Sequence, residues 1–256
     1  MNIFLAGQKV LIVNGQSFDG EDVGKITEII DLEDSSYTCE VNQYPVDGID
    51  LYGSSGGLIG STPFVCGGYT TYVGYSNACY TLQDDGTWIQ DHTASLNTAR
   101  AYAAIGSVVI NGKLVIVGGT EGEVYPGESN SVSSIEMVAP NTRSKTLSVS
   151  LPVAFGHSCI VPWDANTFLV IGGCTSSSCS RDETYFIFLN NNTVSNGPNL
   201  LGGRYWTACH EMVVNGEEFI IVVGGYPFSN GRSKKVEVLS KTNFRDGWKK
   251  GKKCVV

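Results

Sequence analysis

Long apolar runs are missing from this 256-residue chain; none approaches the ~20 residues that carry a helix across a bilayer. Charge is scarce as well, at 16% Asp, Glu, Lys and Arg, below the roughly 25% usual in soluble domains. Hydrophobic residues make up 42%, so the chain has material for a packed core and intrinsic disorder is excluded. Prolines number 8 against 31 glycines. No Gly-X-Y period accompanies them, which excludes a collagen-like chain and implies many tight turns. Apolar spacing of 3.6 residues is nowhere sustained, so helix content should be low. No Gly-x-Gly-x-x-Gly leads into a helix, no P-loop lysine is found, and no close carboxylate pair is set up for acid–base work. No cofactor is therefore expected.

Positive charge is the minority sign. The net charge of −8 repels nucleic acid over most of the surface. The distribution is uneven: Asp19 to Asp50 holds ten acidic residues and one basic, whereas Arg232 to Val256 holds nine basic and two acidic. Three readings stay open for the basic end. An acidic start and a basic end would attract in a closed ring. Alternatively, Lys249, Lys250, Lys252 and Lys253 protect an exposed edge strand from pairing with other chains. The third is weak contact with an acidic surface.

The cysteines are Cys39, Cys66, Cys79, Cys159, Cys174, Cys179, Cys209 and Cys254. An even count in a Gly-rich, Lys-poor chain favours disulfides and an oxidising compartment. Asn191-Asn192-Thr193 is a glycosylation sequon, with Asn191 the acceptor. The opening Met1 to Gly7 has too short an apolar run, and no basic stretch, for a signal peptide. A mature or incomplete secreted chain is expected, with a cytoplasmic protein carrying reduced thiols as the alternative.

What the chain does have is a repeat. Apolar runs end in Gly67-Gly68, Gly118-Gly119, Gly172-Gly173 and Gly224-Gly225, with a degenerate copy at Asn14-Gly15. Successive steps are 53, 51, 54 and 52 residues. A strand precedes each anchor, as in Tyr102 to Ile110 with its Asn111-Gly112 turn, and two follow it. Four antiparallel strands per repeat make a β-propeller blade. The anchor strand is apolar throughout because neighbouring blades cover both of its faces. The whole chain thus reads as one all-β domain with repeats 1–47, 48–98, 99–153, 154–202 and 203–256.

These features resemble the kelch repeat family. Its repeats pair an apolar strand ending in Gly-Gly with a following strand bearing Tyr or Glu, a Trp on the fourth strand, and an Arg before the next first strand. Ile135-Glu136, Trp88, Trp248, Arg100 and Arg204 occupy such positions. Asn14 replaces a glycine, the first repeat has no fourth-strand Trp, and Phe155 stands where Arg is expected. The resemblance implies six or seven blades where five copies are visible, hence a compact five-bladed ring or an incomplete larger one.

Individual sites are weighed against that frame. Gly53-Ser54-Ser55-Gly56-Gly57 has the spacing of a nucleophile elbow, but an extended stretch follows it where a helix is needed. Cys174 and Cys179 suit a small disulfide-closed loop. Cys66 and Cys79 sit on antiparallel neighbours close enough to bond. Cys39, Cys159, Cys209 and Cys254 leave three pairings open. His157 and His210 lie near first strands and could face the axis; structural roles are expected for both, and no metal site. The loop aromatics Tyr69, Tyr72, Tyr75, Tyr125, Tyr226 and Phe228 follow the paired glycines and should emerge on one face. A non-enzymatic, secreted propeller that binds another protein through them is the leading expectation. The alternative is a carbohydrate-active propeller enzyme of the oxidase or sugar-isomerase type, which would need Arg, Glu and His converging at the axis.

Overall fold

Short apolar runs bounded by Gly, Asn-Gly and Asp-rich turns form the strands of this computed structural model. It describes residues 2–6, 9–13, 26–31, 33, 39–43, 51–70, 74–106, 108–121, 130–227 and 233–251. Among them lie five four-stranded antiparallel sheets and two small hairpins, in a β-propeller-like arrangement. Sheet 1 is β1 (Asn2–Ala6), β2 (Lys9–Val13), β3 (Ile26–Asp31) and β4 (Cys39–Gln43). Sheet 2 is β5 (Ser55–Ile59), β6 (Thr62–Cys66), β9 (Ala78–Leu82) and β10 (Trp88–Ser95), with the hairpin β7 (Tyr69–Thr70) and β8 (Gly74–Tyr75). Sheet 3 is β11 (Val109–Ile110), β12 (Lys113–Val117), β15 (Ser134–Val138) and β16 (Lys145–Ser150), with the hairpin β13 (Thr120–Glu121) and β14 (Asn130–Ser131). Sheet 4 is β17 (Cys159–Asp164), β18 (Thr167–Ile171), β19 (Thr184–Phe188) and β20 (Thr193–Asn196). Sheet 5 is β21 (Ala208–Val214), β22 (Glu217–Val223), β23 (Val236–Ser240) and β24 (Lys249–Lys250). One turn of 3-10 helix, Phe244–Asp246, is the helical element among the described residues.

The first strands of successive sheets approach one another, with β1 against β5 and β17 against β21. They therefore form the inner edge of the arrangement, and the fourth strands the outer edge. Lys249 and Lys250 lie exposed on outer strand β24, a charge placement suited to discouraging edge pairing; Lys252 and Lys253 lie outside the described residues. The expected first strand Tyr102 to Ile110 is shorter than its sequence suggests. It pairs as β11 only over Val109–Ile110, while Ile105 makes an isolated parallel bridge to Cys159 of sheet 4. Gly106 sits at φ 134° with the Ile160 carbonyl where a Cβ would stand, so the chain leans onto the neighbouring sheet instead of continuing its own.

Among the described residues the core forms four clusters, one at each junction between neighbouring sheets. Phe64, Leu114 and Ile116 join sheets 2 and 3; Val115, Val117, Phe168 and Val170 join sheets 3 and 4. The paired glycines end the second strands because two constraints meet there. At Gly118 φ is +64° and a Cβ would lie 2.3 Å from the Phe155 carbonyl; at Gly119 φ is +103° and a Cβ would meet the Ala101 carbonyl at 2.7 Å. Both demand a residue without a side chain.

Sheets 3 and 5 are each held by a buried ion pair. Arg100 and Glu136 meet at 2.5 Å with side chains 1% and 0% exposed, and Arg204 pairs with Glu237 in the same way. Sheet 4 keeps the positions and changes the chemistry. Phe155 replaces the arginine and Tyr185 the glutamate, their rings 5.6 Å apart. In sheet 2 the corresponding residues are Leu51 and Tyr80, both buried. The expected departure at Phe155 is thus a matched exchange of both partners. The fourth-strand tryptophans tie sheets together: Trp88 Nε1 donates to Thr27 Oγ1 of sheet 1, and Trp248 Nε1 to the Pro198 carbonyl beyond sheet 4, each at 2.8 Å.

Three disulfides are formed among the described residues. Cys66–Cys79 joins directly opposed residues of β6 and β9, with Cα atoms 4.1 Å apart, and Cys174–Cys179 closes the loop after Gly173. Of the pairings left open, Cys159–Cys209 is made, linking inner strands β17 and β21 of different sheets. Cys39 lies in β4, and Cys254 lies outside the described residues.

Candidate functional site

At the end of the sheets where the inner strands begin, each of sheets 2 to 5 repeats one small piece of backbone. Tyr52, Ala101, Gly156 and Tyr205 bridge to Tyr69, Thr120, Cys174 and Tyr226, which follow the paired glycines. The next residue in each is Gly53, Tyr102, His157 or Trp206, and all four have positive φ, between 50° and 63°. These four form a chain of hydrogen bonds from sheet to sheet. Tyr102 N–H donates to the Gly53 carbonyl, His157 N–H to Tyr102, and Trp206 N–H to His157, at 2.8, 2.8 and 3.0 Å. Bulky side chains rarely occupy this backbone region, and each such residue costs the fold about 1 kcal/mol or more. Three strained aromatic residues at one repeat position make that position the candidate site.

The strain aims the rings at one another. Tyr102 and His157 lie 4.9 Å apart between centroids, His157 and Trp206 5.1 Å, Trp206 and Tyr226 5.6 Å, and Tyr205 and Tyr226 5.6 Å. On the other side, Tyr69 packs edge-on against Tyr75 at 5.4 Å. Gly53 has no side chain because the Tyr102 ring occupies its Cβ position. Burial raises the Tyr102 phenol above its ordinary pKa, and the neighbouring phenols of Tyr75, Tyr69 and Tyr52 add to this. Trp206 remains 41% exposed, and the tyrosines are partly exposed.

His157 sits at the centre of the group. Trp206 Nε1 donates to its Nδ1, which puts the proton of the neutral ring on Nε2. Desolvation lowers its pKa from 6.5 to about 4. The unfolded chain therefore binds a proton more readily between these values. Stability attached to the neutral ring is complete above pH 6.5 and is lost as pH falls towards 4, in total about 3 kcal/mol. Melting temperatures measured from pH 7 to pH 4 should fall more steeply for the native chain than for His157→Asn, whose side chain tolerates the same backbone and does not titrate. Parallel curves would show that His157 does not titrate in this way.

Of the loop aromatics expected from the sequence, the structure brings Tyr69, Tyr75 and Tyr226 to this cluster; Tyr72, Tyr125 and Phe228 lie outside the described residues. Sequence reasoning missed Tyr52, Tyr102, Tyr205 and Trp206 as members, and gave His157 only a structural role. The available signal was an aromatic residue two places after each inner anchor: Arg100 then Tyr102, Phe155 then His157, Arg204 then Trp206. His210 lies instead on β21 with an exposed side chain, opposite Ile221. Ser55 opens strand β5 opposite Cys66, with no helix after it. Among the described residues, no group of three or more His, Cys, Asp or Glu side chains could hold a metal ion. Asn191 lies exposed in the turn between β19 and β20, with Thr193 Oγ1 donating to its Oδ1 at 2.8 Å.

No known family profile and no curated protein matches the chain. A solved structure described as "Structure of YjhT" shares its fold with a TM-score of 0.77 at 12% sequence identity, over 99% of this chain and 83% of that one. At that identity the likeness is one of fold alone.

Proposed function

We propose that the chain is a kelch-type β-propeller of five blades that acts as an extracellular binding module, docking another protein on the aromatic cluster where its inner strands begin. The observation that carries this reading is the row Tyr102, His157 and Trp206, held in strained backbone at equivalent positions and flanked by Tyr69, Tyr75, Tyr205 and Tyr226. Rigid amphipathic rings with few rotatable bonds provide contact area at small entropic loss and dominate interface hot spots. The kelch assignment rests on the Gly-Gly anchors, the buried Arg100–Glu136 and Arg204–Glu237 pairs and the fourth-strand tryptophans Trp88 and Trp248. Arg100, Glu136, Arg204 and Glu237 are paired and buried within their sheets, whereas Arg181 and Glu183, the pair a sugar-converting enzyme would have to use, lie partly exposed just after the Cys174–Cys179 loop.

Three disulfides favour an oxidising compartment, and Asn191 is placed where a glycan could be carried without disturbing the sheets. Protein secreted from a glycosylating host should lose mass on treatment with an amidase that removes N-glycans, and an Asn191→Gln variant should not. The binding role is tested by affinity capture of a partner, followed by titration with Trp206→Ala/Tyr226→Ala. A loss of about 2 kcal/mol, near thirtyfold in affinity, is expected. Unchanged affinity with an unchanged circular dichroism spectrum would reject this face.

A further inference from the structure

In sheets 2 and 3 the chain after the paired glycines is closed by a short ladder. Tyr69 and Thr70 pair with Tyr75 and Gly74, and Thr120 and Glu121 with Ser131 and Asn130. Sheet 4 closes the equivalent loop covalently. Cys174 and Cys179 form a single antiparallel bridge, and the disulfide joins their side chains across it. Between them Thr175 to Ser178 make a tight turn. Thr175 N–H donates to the Ser178 carbonyl at 2.8 Å, and Ser178 N–H to Thr175 Oγ1 at 3.0 Å. Ser176 and Ser177 at the tip are exposed. With the sulfur bond opened, one backbone bridge and one turn are left to keep this loop closed.

Both ends of the loop bear on the aromatic cluster. Cys174 exchanges two backbone hydrogen bonds, each 2.8 Å, with Gly156, the residue before His157. Beyond Cys179, Ser180 Oγ donates to the Tyr226 carbonyl at 3.2 Å, and the Arg181 carbonyl accepts the Arg204 N–H at 3.0 Å. Tyr205 and Trp206 follow Arg204 directly. The approach is close: a Cβ on Gly203 would lie 1.8 Å from the Ser180 carbonyl oxygen, and Ser180 itself is held at φ 65°. The disulfide therefore ties the segment that places His157 to the segment that places Tyr205, Trp206 and Tyr226.

Of the three disulfides among the described residues, this one is placed to open first. Its sequence separation is 5 residues, against 13 for Cys66–Cys79 and 50 for Cys159–Cys209. A folded protein resists reduction of a bond by the stability that bond contributes, and short loops contribute least. Cys179 is partly exposed, whereas Cys66 and Cys79 are 1% and 0% exposed. Cys209 is partly exposed too, but its bond joins the inner strands of two sheets. We propose that Cys174–Cys179 is a reducible clasp on the aromatic face: a dithiol reductant opens it, the loop slackens, and the face loses its docking geometry. One thiolate of the dithiol attacks Cys179 Sγ, the bond between the two cysteines breaks, and Cys174 leaves as a thiolate. The second thiol then displaces Cys179. The products are an oxidised dithiol and two protein thiols, with two electrons and two protons passed from the dithiol to the cysteines. The loss of docking rests on the binding role proposed above; the order of reduction and the slackening of the cluster do not.

The test titrates the full chain with dithiothreitol under native conditions, alkylates the freed thiols and maps them by mass spectrometry. Cys174 and Cys179 are expected to be modified first, with the far-ultraviolet spectrum unchanged and the other two bonds intact. In that state amide hydrogen exchange at Arg204, Trp206 and Tyr226 should rise about tenfold. The variant C174A/C179A should show the same rise and no further response over that range of reductant. Affinity for a captured partner should fall about tenfold on reduction and return on reoxidation. Three results would overturn the proposal. One is the opening of Cys66–Cys79 or Cys159–Cys209 at a lower reductant concentration than Cys174–Cys179. Another is selective opening with exchange at the three amides unchanged, which would make the bond a staple of its own loop alone. The last is raised exchange with partner affinity unaltered, which would remove the regulatory role. Affinity that is equally unmoved by Trp206→Ala/Tyr226→Ala would count against the docking site itself. The order of reduction and the exchange rates are read without a partner, so the two claims fail separately.

Discussion

Replacing Arg100 with alanine is expected to destabilise the fold by about 3–5 kcal/mol, because it strands a buried carboxylate. Glu136 is fully buried and receives the Arg100 Nη2, the backbone N–H groups of Asn97 and Thr98, and the Ser144 hydroxyl. Arg100 in turn donates to the carbonyls of Gly118 and Ser134, so its loss also takes a donor from the buried Gly118 carbonyl, while the Ser134 carbonyl keeps the Gly118 N–H. The ion pair as a whole is a different matter. A buried pair exchanged for well-packed apolar groups is often nearly neutral, and sheet 4 has made that exchange with Phe155 and Tyr185. Introducing both changes together, Arg100→Phe with Glu136→Tyr, should therefore cost less than the single substitution, because no carboxylate is stranded, while the backbone groups that Arg100 and Glu136 served stay without those partners. Urea titration of the single and double variants measures both. A single-variant loss under about 1 kcal/mol would show that the pair does not hold sheet 3 as described.

The second large effect is expected at the disulfide between sheets. Cys159–Cys209 spans 50 residues, and removing that loop constraint from the unfolded chain should lower stability by about 4 kcal/mol. Cys174–Cys179 spans 5 residues and on the same reasoning is worth about 2 kcal/mol. The variants C159A/C209A and C174A/C179A, compared in the same denaturant series, should rank in that order. The long link also joins inner strands of adjacent sheets, so its loss should be accompanied by greater hydrogen exchange in β17 and β21. A larger loss from the short loop would contradict the ranking.

The parts of the fold that were readable in the sequence are those where one physical demand fixes one residue type. Gly67-Gly68 and its copies at 118–119, 172–173 and 224–225 were legible because all have positive φ, and at all but Gly224 a Cβ would also collide with a neighbouring carbonyl or side chain. Cys66–Cys79 was legible because neighbouring antiparallel strands brought the two opposite each other. Cys159–Cys209 was not, since the bond crosses between sheets and chain spacing carries no record of which residues meet there. The aromatic cluster was half legible for a related reason. Tyr69, Tyr75 and Tyr226 follow recognisable anchors, whereas Tyr102, His157 and Trp206 share a backbone conformation but differ in side chain. Their equivalence shows only in φ and in the hydrogen bonds running from sheet to sheet. The strand expected over Tyr102 to Ile110 failed at Gly106, where contact with Ile160 of the next sheet outweighs local strand propensity.

The binding role of the aromatic cluster is the central claim, and the most direct measurement is the affinity of a captured partner for the native chain and for Tyr102→Ala, Trp206→Ala and Tyr226→Ala, each checked for an unchanged far-ultraviolet spectrum. Losses of roughly tenfold or more at two of the three positions are predicted, concentrated in faster dissociation. Equal affinities across all of them, with the partner instead sensitive to changes at the opposite end of the sheets, would contradict it.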